Sequence, residues 1–240
     1  MSKNFELLME VEKDLESAPP EPDHARESAA LRVPSSAVLH TSDKDDQVAP
    51  LVERVFLLPA GIAHRLVVFC GIEAANPSSS VCARAARNLA VRTGERVCLV
   101  NANPSRADLI GLFGQDADLM NFGTNGEQCL PIAKNLWLTK CSWTNGGGEP
   151  SITEMRARLS DLQRDFGYVL IDAPGCSVNN HATALGQASD AVILVVEAEI
   201  THRHAAHKAI KNLEAAGVRL AGTVLNNRSF PIPKALYERL

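Results

Sequence analysis

One carboxylate, three serines and four asparagines carry whatever chemistry this chain performs: Asp172; Ser78, Ser79 and Ser80; and Asn76, Asn101, Asn103 and Asn226. Each lies at or just beyond the end of an apolar run, where an open parallel sheet places its ligand-facing residues. The run Leu66-Val67-Val68-Phe69-Cys70-Gly71 reads as a buried strand. Residues 72–80 follow as a short loop, and then an alanine-rich helix. A phosphate loop, Gly-x-x-x-x-Gly-Lys-Ser/Thr, would occupy that place in a strand–loop–helix unit. Yet no lysine occurs between Lys44 and Lys134.

The loop is also short of glycine. Ala74 and Ala75 resist positive φ, and Pro77 has no N–H to offer an anion. Asn76-Pro77 reads instead as an N-cap and first helical residue, an ordinary helix start. The N–H groups at Ser78–Ser80 would still attract an anion weakly, with Arg84 and Arg87 within two turns. Beyond the next strand lies Asn101-Ala102-Asn103-Pro104. Later, Tyr168-Val169-Leu170-Ile171 ends in Asp172-Ala173-Pro174. An apolar strand closing on an aspartate matches the acidic strand end that orients Mg²⁺-bound water in nucleotide hydrolases. Asp before proline also suits a plain turn.

The elements that would hold these residues alternate. Strands are expected at 66–71, 96–101, 135–139, 167–172, 191–196 and 219–225, and helices at 80–93, 151–165, 181–188 and 201–216. Thr201 is placed to cap the last helix and Gly217 to end it. Runs apolar on both faces, such as Ala191–Val196, suit strands of a covered parallel sheet. The expectation is a doubly wound, mostly parallel α/β domain, a three-layer sandwich over residues 51–240. Residues 17–50, with five prolines among polar residues, read as a flexible linker. Residues 4–16 put Phe5, Leu8, Val11 and Leu15 on one helix side. That segment, 1–16, reads equally as a frayed terminal helix or a docking helix.

Composition narrows the classes. With 45% hydrophobic and 22% charged residues, a sizeable core can form. A net charge of −4 and no basic stripe speak against nucleic acid as a partner. The six cysteines form no Cys-x-x-Cys pair; Cys70, Cys82 and Cys98 sit in apolar patterns as small core residues of a reducing compartment. No signal peptide or run of about 20 apolar residues is present, so a cytoplasmic protein is expected. His202, His204 and His207 share a helix without companion ligands, and read as solvated rather than metal-binding. Gly146-Gly147-Gly148 follows no strand directly and reads as a connection. Cys176 is a weak nucleophile candidate, with His181 the histidine nearest to it in sequence.

Taken in order, the segments resemble the bacterial capsular and exopolysaccharide tyrosine kinases, a branch of the deviant P-loop ATPases that includes the cell-division and partition ATPases. The matching pieces are Asn4-Phe5-Glu6-Leu7-Leu8, Leu51–Pro59, Val100-Asn101-Ala102-Asn103, Leu170-Ile171-Asp172-Ala173-Pro174 and Gly222-Thr223-Val224-Leu225-Asn226. The resemblance implies a P-loop NTPase-like fold, ATP or ADP with Mg²⁺ as ligands, and an adenine-side role for Asn226. It also implies a partner, the cytosolic tail of a membrane polysaccharide chain-length determinant protein, which would hold the chain at the inner membrane. Self-association is implied too. The departures weigh more: Ser78 stands at the lysine position, Ser79 matches the Mg²⁺-binding hydroxyl, and Asn101 and Asn103 replace aspartates. Only two tyrosines are present, Tyr168 and Tyr237, where autophosphorylating relatives carry a terminal cluster. The expectation is a catalytically impaired relative in which Asp172 is vestigial and nucleotide and Mg²⁺ bind weakly at best. The alternative is an active autokinase or ATPase using Arg84 or Arg87 in place of the lysine.

Overall fold

The computed structural model describes residues 47–57, 64–73, 78–103, 109, 113, 120–121, 128–140, 151–178 and 180–227. The expected N-terminal helix, most of the linker, Asn76-Pro77, the glycine run at 146–148 and Tyr237 lie outside the described residues.

Among the described residues eight strands form one sheet: β1 Leu66–Gly71, β2 Val97–Asn101, β3 Met120–Asn121, β4 Gln128–Ala133, β5 Leu136–Lys140, β6 Tyr168–Asp172, β7 Ala191–Glu197 and β8 Leu220–Asn226. Their spatial order is β3-β4-β5-β2-β6-β1-β7-β8. The pairings from β5 through β8 are all parallel, and only those of β4 with β3 and β5 are antiparallel. The mostly parallel doubly wound sheet is therefore as expected. β3 and β4 are additions. Proline cannot donate to a ladder, yet Pro131 lies within β4. The structure tolerates it beside a bulge between Pro131 and Ala133.

Among the described residues the helices are α1 Ala49–Phe56, α2 Ser78–Thr93, α3 Ile152–Asp165, α4 His181–Gln187 and α5 Arg203–Ala215. One face of the sheet is covered by α1 and α2, through Leu51, Val55, Val81, Ala85 and Leu89 against Val67, Phe69 and Leu99. The other is covered by α3, α4 and α5, through Met155, Leu159, Leu185 and Leu213 against Val68, Val100, Ile171 and Leu194. Side chains alternate along each strand, so Val67 and Val68 enter different layers. That accounts for strands with no polar face. The chain leaves β1 toward one face and β6 toward the other, as right-handed crossovers in opposite directions require. A crevice opens between them at the carboxyl edge.

Two boundaries differ from expectation. α1 begins at Ala49, inside the expected linker, because Pro50 is well placed in a first helical turn and Leu51, Val52, Val55 and Phe56 are buried. Thr201 does not cap α5. Its hydroxyl accepts the Glu197 N–H at 3.1 Å, and His202 takes the cap position with no side-chain bond. Gly217 does end α5, at φ +72°, with Val218 N–H bonding Leu213 O at 3.0 Å and Gly217 N–H bonding Glu214 O at 2.8 Å. Tyr168 is only half-buried, edge-on to Phe56 at 6.0 Å.

α3 starts with a reciprocal capping box. Glu154 N–H donates to Ser151 Oγ at 3.2 Å, and Ser151 N–H to Glu154 Oε2 at 2.8 Å. Bonds from the Ser151 backbone, then its hydroxyl, hold the Glu154 carboxyl below its usual pKa. Ser151→Ala should cost about 1 kcal/mol at neutral pH, read from the urea midpoint. Because the folded pKa is depressed, the Glu154 contribution is present above the unfolded value and lost as pH falls through the folded one. The stability gap between wild type and Ser151→Ala should therefore narrow in acid; a gap that widens would refute the box.

Candidate functional site

Gly71, Asn101, Lys140, Asp172, Glu197 and Asn226 end their strands on one edge of the sheet. Register fixes their order: Asn101 pairs with Lys140 on one side and Asp172 on the other, and Glu197 pairs with Asn226. Asp172 thus lies between β2 and β1, over the crevice, with no exposed surface. The first turn of α2 projects toward it. Ser79 Oγ donates to Asp172 Oδ2 at 2.6 Å, and Ser78 Oγ reaches Oδ1 at 3.5 Å. Both serines are buried, at 3% and 2% exposure. A helix N-terminus favours a negative charge, so the carboxylate complements α2 as well as its hydroxyls.

Two of the remaining expected residues are turned to other partners. Asn101 Oδ1 accepts the backbone N–H of Asn103 at 3.1 Å, a local Asx turn, and Asn103 is buried. Ala102 N–H continues the ladder onto Asp172 O at 2.9 Å. Asn226, also buried, accepts from Arg84 Nη2 at 3.4 Å, while Arg84 Nε bonds Ser80 O at 3.1 Å. Arg84 therefore ties the first turn of α2 to the end of β8. Arg87 points elsewhere, its guanidinium 5.0 Å from the Phe113 ring centroid. Ser78, Ser79, Ser80, Asn101, Asn103, Asp172 and Asn226 are thus gathered at one edge, and Asn76 falls outside the described residues.

Burial pushes the Cys82 thiol well up, and the Asp172 charge adds to it. A Mg²⁺ ion with a triphosphate takes one or two carboxylates, phosphate oxygens and water, together with a phosphate-loop hydroxyl. Here Asp172 offers one carboxylate whose two oxygens already receive serine protons, and the Asn101 amide oxygen is spent on the backbone. The Ser79 hydroxyl and the Asp172 carboxylate would suit such a shell, whereas the Asn101 amide would add nothing to it. His202, His204 and His207 are exposed. Among the described residues no group of three or more His, Cys, Asp or Glu is placed to hold a metal.

Sequence reasoning did not single out Gly175. A Cβ there would lie 2.6 Å from the carbonyl carbon and oxygen of Glu73 and 2.8 Å from Ile72 O. The loop after Asp172 is thereby strapped across the start of the expected phosphate loop. Cys176 N–H bonds Gly71 O at 2.9 Å and Ser177 N–H bonds Ile72 O at 3.0 Å. The signal in the sequence was only a glycine beside a proline. Cys176 packs against the core layer that holds Cys70.

This three-layer sheet, with a strand–loop–helix unit at its switch point, is the fold of the P-loop ATPases, including a ParA family ATPase from Chlorobium tepidum and MinD of Aquifex aeolicus. Within that class the fold is shared with bacterial tyrosine kinase domains. The VpsO kinase domain superposes with a TM-score of 0.60 at 18% identity, covering 77% of this chain and 94% of that one. The kinase domain of Escherichia coli tyrosine kinase ETK gives 0.58 at 15% identity, with 74% and 73% covered. MinD in the MinC:MinD complex of Aquifex aeolicus gives 0.55 at 16% identity, with 72% and 71% covered. No protein-family model matches the chain, and no characterised protein matches it by sequence. None of the helices in the described residues is long and apolar enough to cross a membrane.

Proposed function

We propose that this chain is a catalytically impaired relative of the exopolysaccharide and capsule tyrosine kinases, acting as a regulator or scaffold of polysaccharide synthesis and export. Its partner is the cytosolic tail of a membrane chain-length determinant protein, which holds it at the inner membrane, and it self-associates as relatives do. The observation that carries the reading is Ser78: at the lysine position stands a serine whose hydroxyl turns to Asp172. Asp172 is then a vestigial catalytic carboxylate, and Asn76, Ser78, Ser79, Ser80, Asn101, Asn103 and Asn226 line a degenerate nucleotide pocket. Losing one preorganised electrostatic group commonly costs about 10²–10³ in rate. Lysine and two carboxylates are gone together, and such losses in one unit do not simply multiply.

Arg84 supports a second reading, an active ATPase or tyrosine autokinase. Its guanidinium already lies between α2 and Asn226 and would be the cation replacing lysine. Calorimetric titration with ATP and ADP, with and without Mg²⁺, separates the two. The scaffold predicts weak or no binding that Mg²⁺ does not strengthen, and no phosphate release. Mg²⁺-dependent turnover with phosphate on Tyr237, abolished by Arg84→Ala, would establish the second reading and overturn the first. Capture of the purified cytosolic tail by the full chain tests the partner; no association at any ratio would remove it.

A further inference from the structure

Cys70 and Cys176 are 106 positions apart in sequence. The strap described above brings them together. Ala173 N–H bonds Phe69 O at 2.9 Å and Cys176 N–H bonds Gly71 O at 2.9 Å, so the loop after Asp172 runs along the end of β1. The missing Cβ of Gly175 permits that approach. Cys176 is thus bonded to the residue next to Cys70, and adjacent backbones of this kind lie about 4.8 Å apart; a disulfide spans roughly 4.4–6.8 Å between Cα atoms. Both side chains enter the same core layer, Cys70 within it and Cys176 packed against it. Cys70 is sealed, with no exposed surface, whereas Cys176 is partly open to solvent. A buried thiol held against a reachable one is how a resolving cysteine sits beside a reacting one.

We propose that Cys70 and Cys176 are a reversible redox pair, oxidised by a peroxide to a disulfide that fastens the end of β1 to the loop after Asp172, and reopened by a dithiol reductant. The pairing does not depend on whether the chain binds nucleotide.

Cys176 reacts first. The hydrogen bond from the Cys70 thiol draws the Cys176 thiol below its usual pKa, whereas Cys70 is pushed well above its own by that bond and by burial. The Cys176 thiolate attacks one peroxide oxygen. The O–O bond breaks, Cys176 becomes a sulfenic acid, and the other oxygen leaves as hydroxide, which takes up the proton Cys176 released. The Cys70 sulfur then attacks the Cys176 sulfur. The S–O bond breaks, and the Cys70 proton departs with that oxygen as water. Two thiols have lost two electrons and one peroxide has become two waters. Reduction runs by thiol exchange, the dithiol ending as its own disulfide.

Cys82 serves as the internal control. It is buried on α2, its thiol is raised by burial, and it shares the tryptic peptide 66–84 with Cys70. Cys176 falls in peptide 165–203. The folded full chain is treated with hydrogen peroxide, blocked with an alkylating agent, digested without reductant and read by mass spectrometry. The expected result is a species joining 66–84 to 165–203, lighter by two hydrogens than the separate peptides and abolished by dithiothreitol. It should persist in Cys82→Ala and vanish in Cys176→Ser, a near-isosteric change at a partly open position whose fold is checked by circular dichroism. Sulfinic acid on Cys176 with no linked peptide would overturn the proposal. So would a link that disappears in Cys82→Ala, or one joining Cys176 to a different peptide.

Discussion

Gly175→Ala is expected to lower stability by about 2–3 kcal/mol, seen as a fall in the urea midpoint at unchanged slope. The added Cβ would sit 2.6 Å from the carbonyl carbon and oxygen of Glu73 and 2.8 Å from Ile72 O, and these are backbone atoms. They cannot rotate away. Relief requires the loop to lift, which stretches the bonds from Cys176 to Gly71 and from Ser177 to Ile72. Against this stands the entropy an alanine removes from the unfolded chain, about 0.4–1 kcal/mol in favour of folding. The steric term is larger, so the sign is destabilising. Gly186→Ala is the comparison. Its Cβ meets Val192 Cγ2 and Val218 Cγ1 at 2.8 Å, side-chain methyls that can shift, so a loss nearer 1 kcal/mol is expected. If Gly175→Ala leaves the midpoint unmoved, the strap is not seated as described.

Asp172→Ala is expected to cost about 2–4 kcal/mol, because hydrogen bonds to a charged group are worth roughly 1.5–3 kcal/mol each and buried donors would be left unpaired. The donors are the Ser78 and Ser79 hydroxyls, and the α2 N-terminus also loses its counter-charge. Opposing this is the cost of keeping a carboxylate with no exposed surface. Asp172→Asn, which retains an acceptor, should lose less than half as much. A double-mutant cycle with Ser79→Ala isolates the 2.6 Å bond, with a coupling of about 1–3 kcal/mol expected. The opposite result would also be informative. If Asp172→Ala raises stability, the carboxylate is held at a cost to the fold. That is the mark of a group retained for a reaction, and it would favour the active reading.

Both variants probe one corner of the sheet, and sequence and structure contributed to it differently. The alternation of strand and helix, the termination of β6 at Asp172 and the absence of lysine are all local facts. Periodicity and strand ends carry them, since a doubly covered strand must be apolar throughout and its last residue must face the crevice. Hence six strands and four helices were placed to within two residues. The short edge pair β3–β4 was not, because a proline-bearing strand is rescued only by a bulge and a neighbour.

What the chain order could not determine is which groups meet. Asp172 finds Ser79 across 93 positions and Arg84 finds Asn226 across 142. Gly175 matters only because another backbone passes 2.6 Å from where its Cβ would be, and Cys176 only because it is bonded beside the end of β1 in the layer that holds Cys70. No periodic pattern encodes such encounters. They arise when crossovers bring distant strand ends to one edge, where the hydrogen-bonding needs of buried polar groups select the partners. Residue types alone established that no lysine stands between Lys44 and Lys134; folding decided that serine hydroxyls and a glycine strap meet at one corner of the sheet.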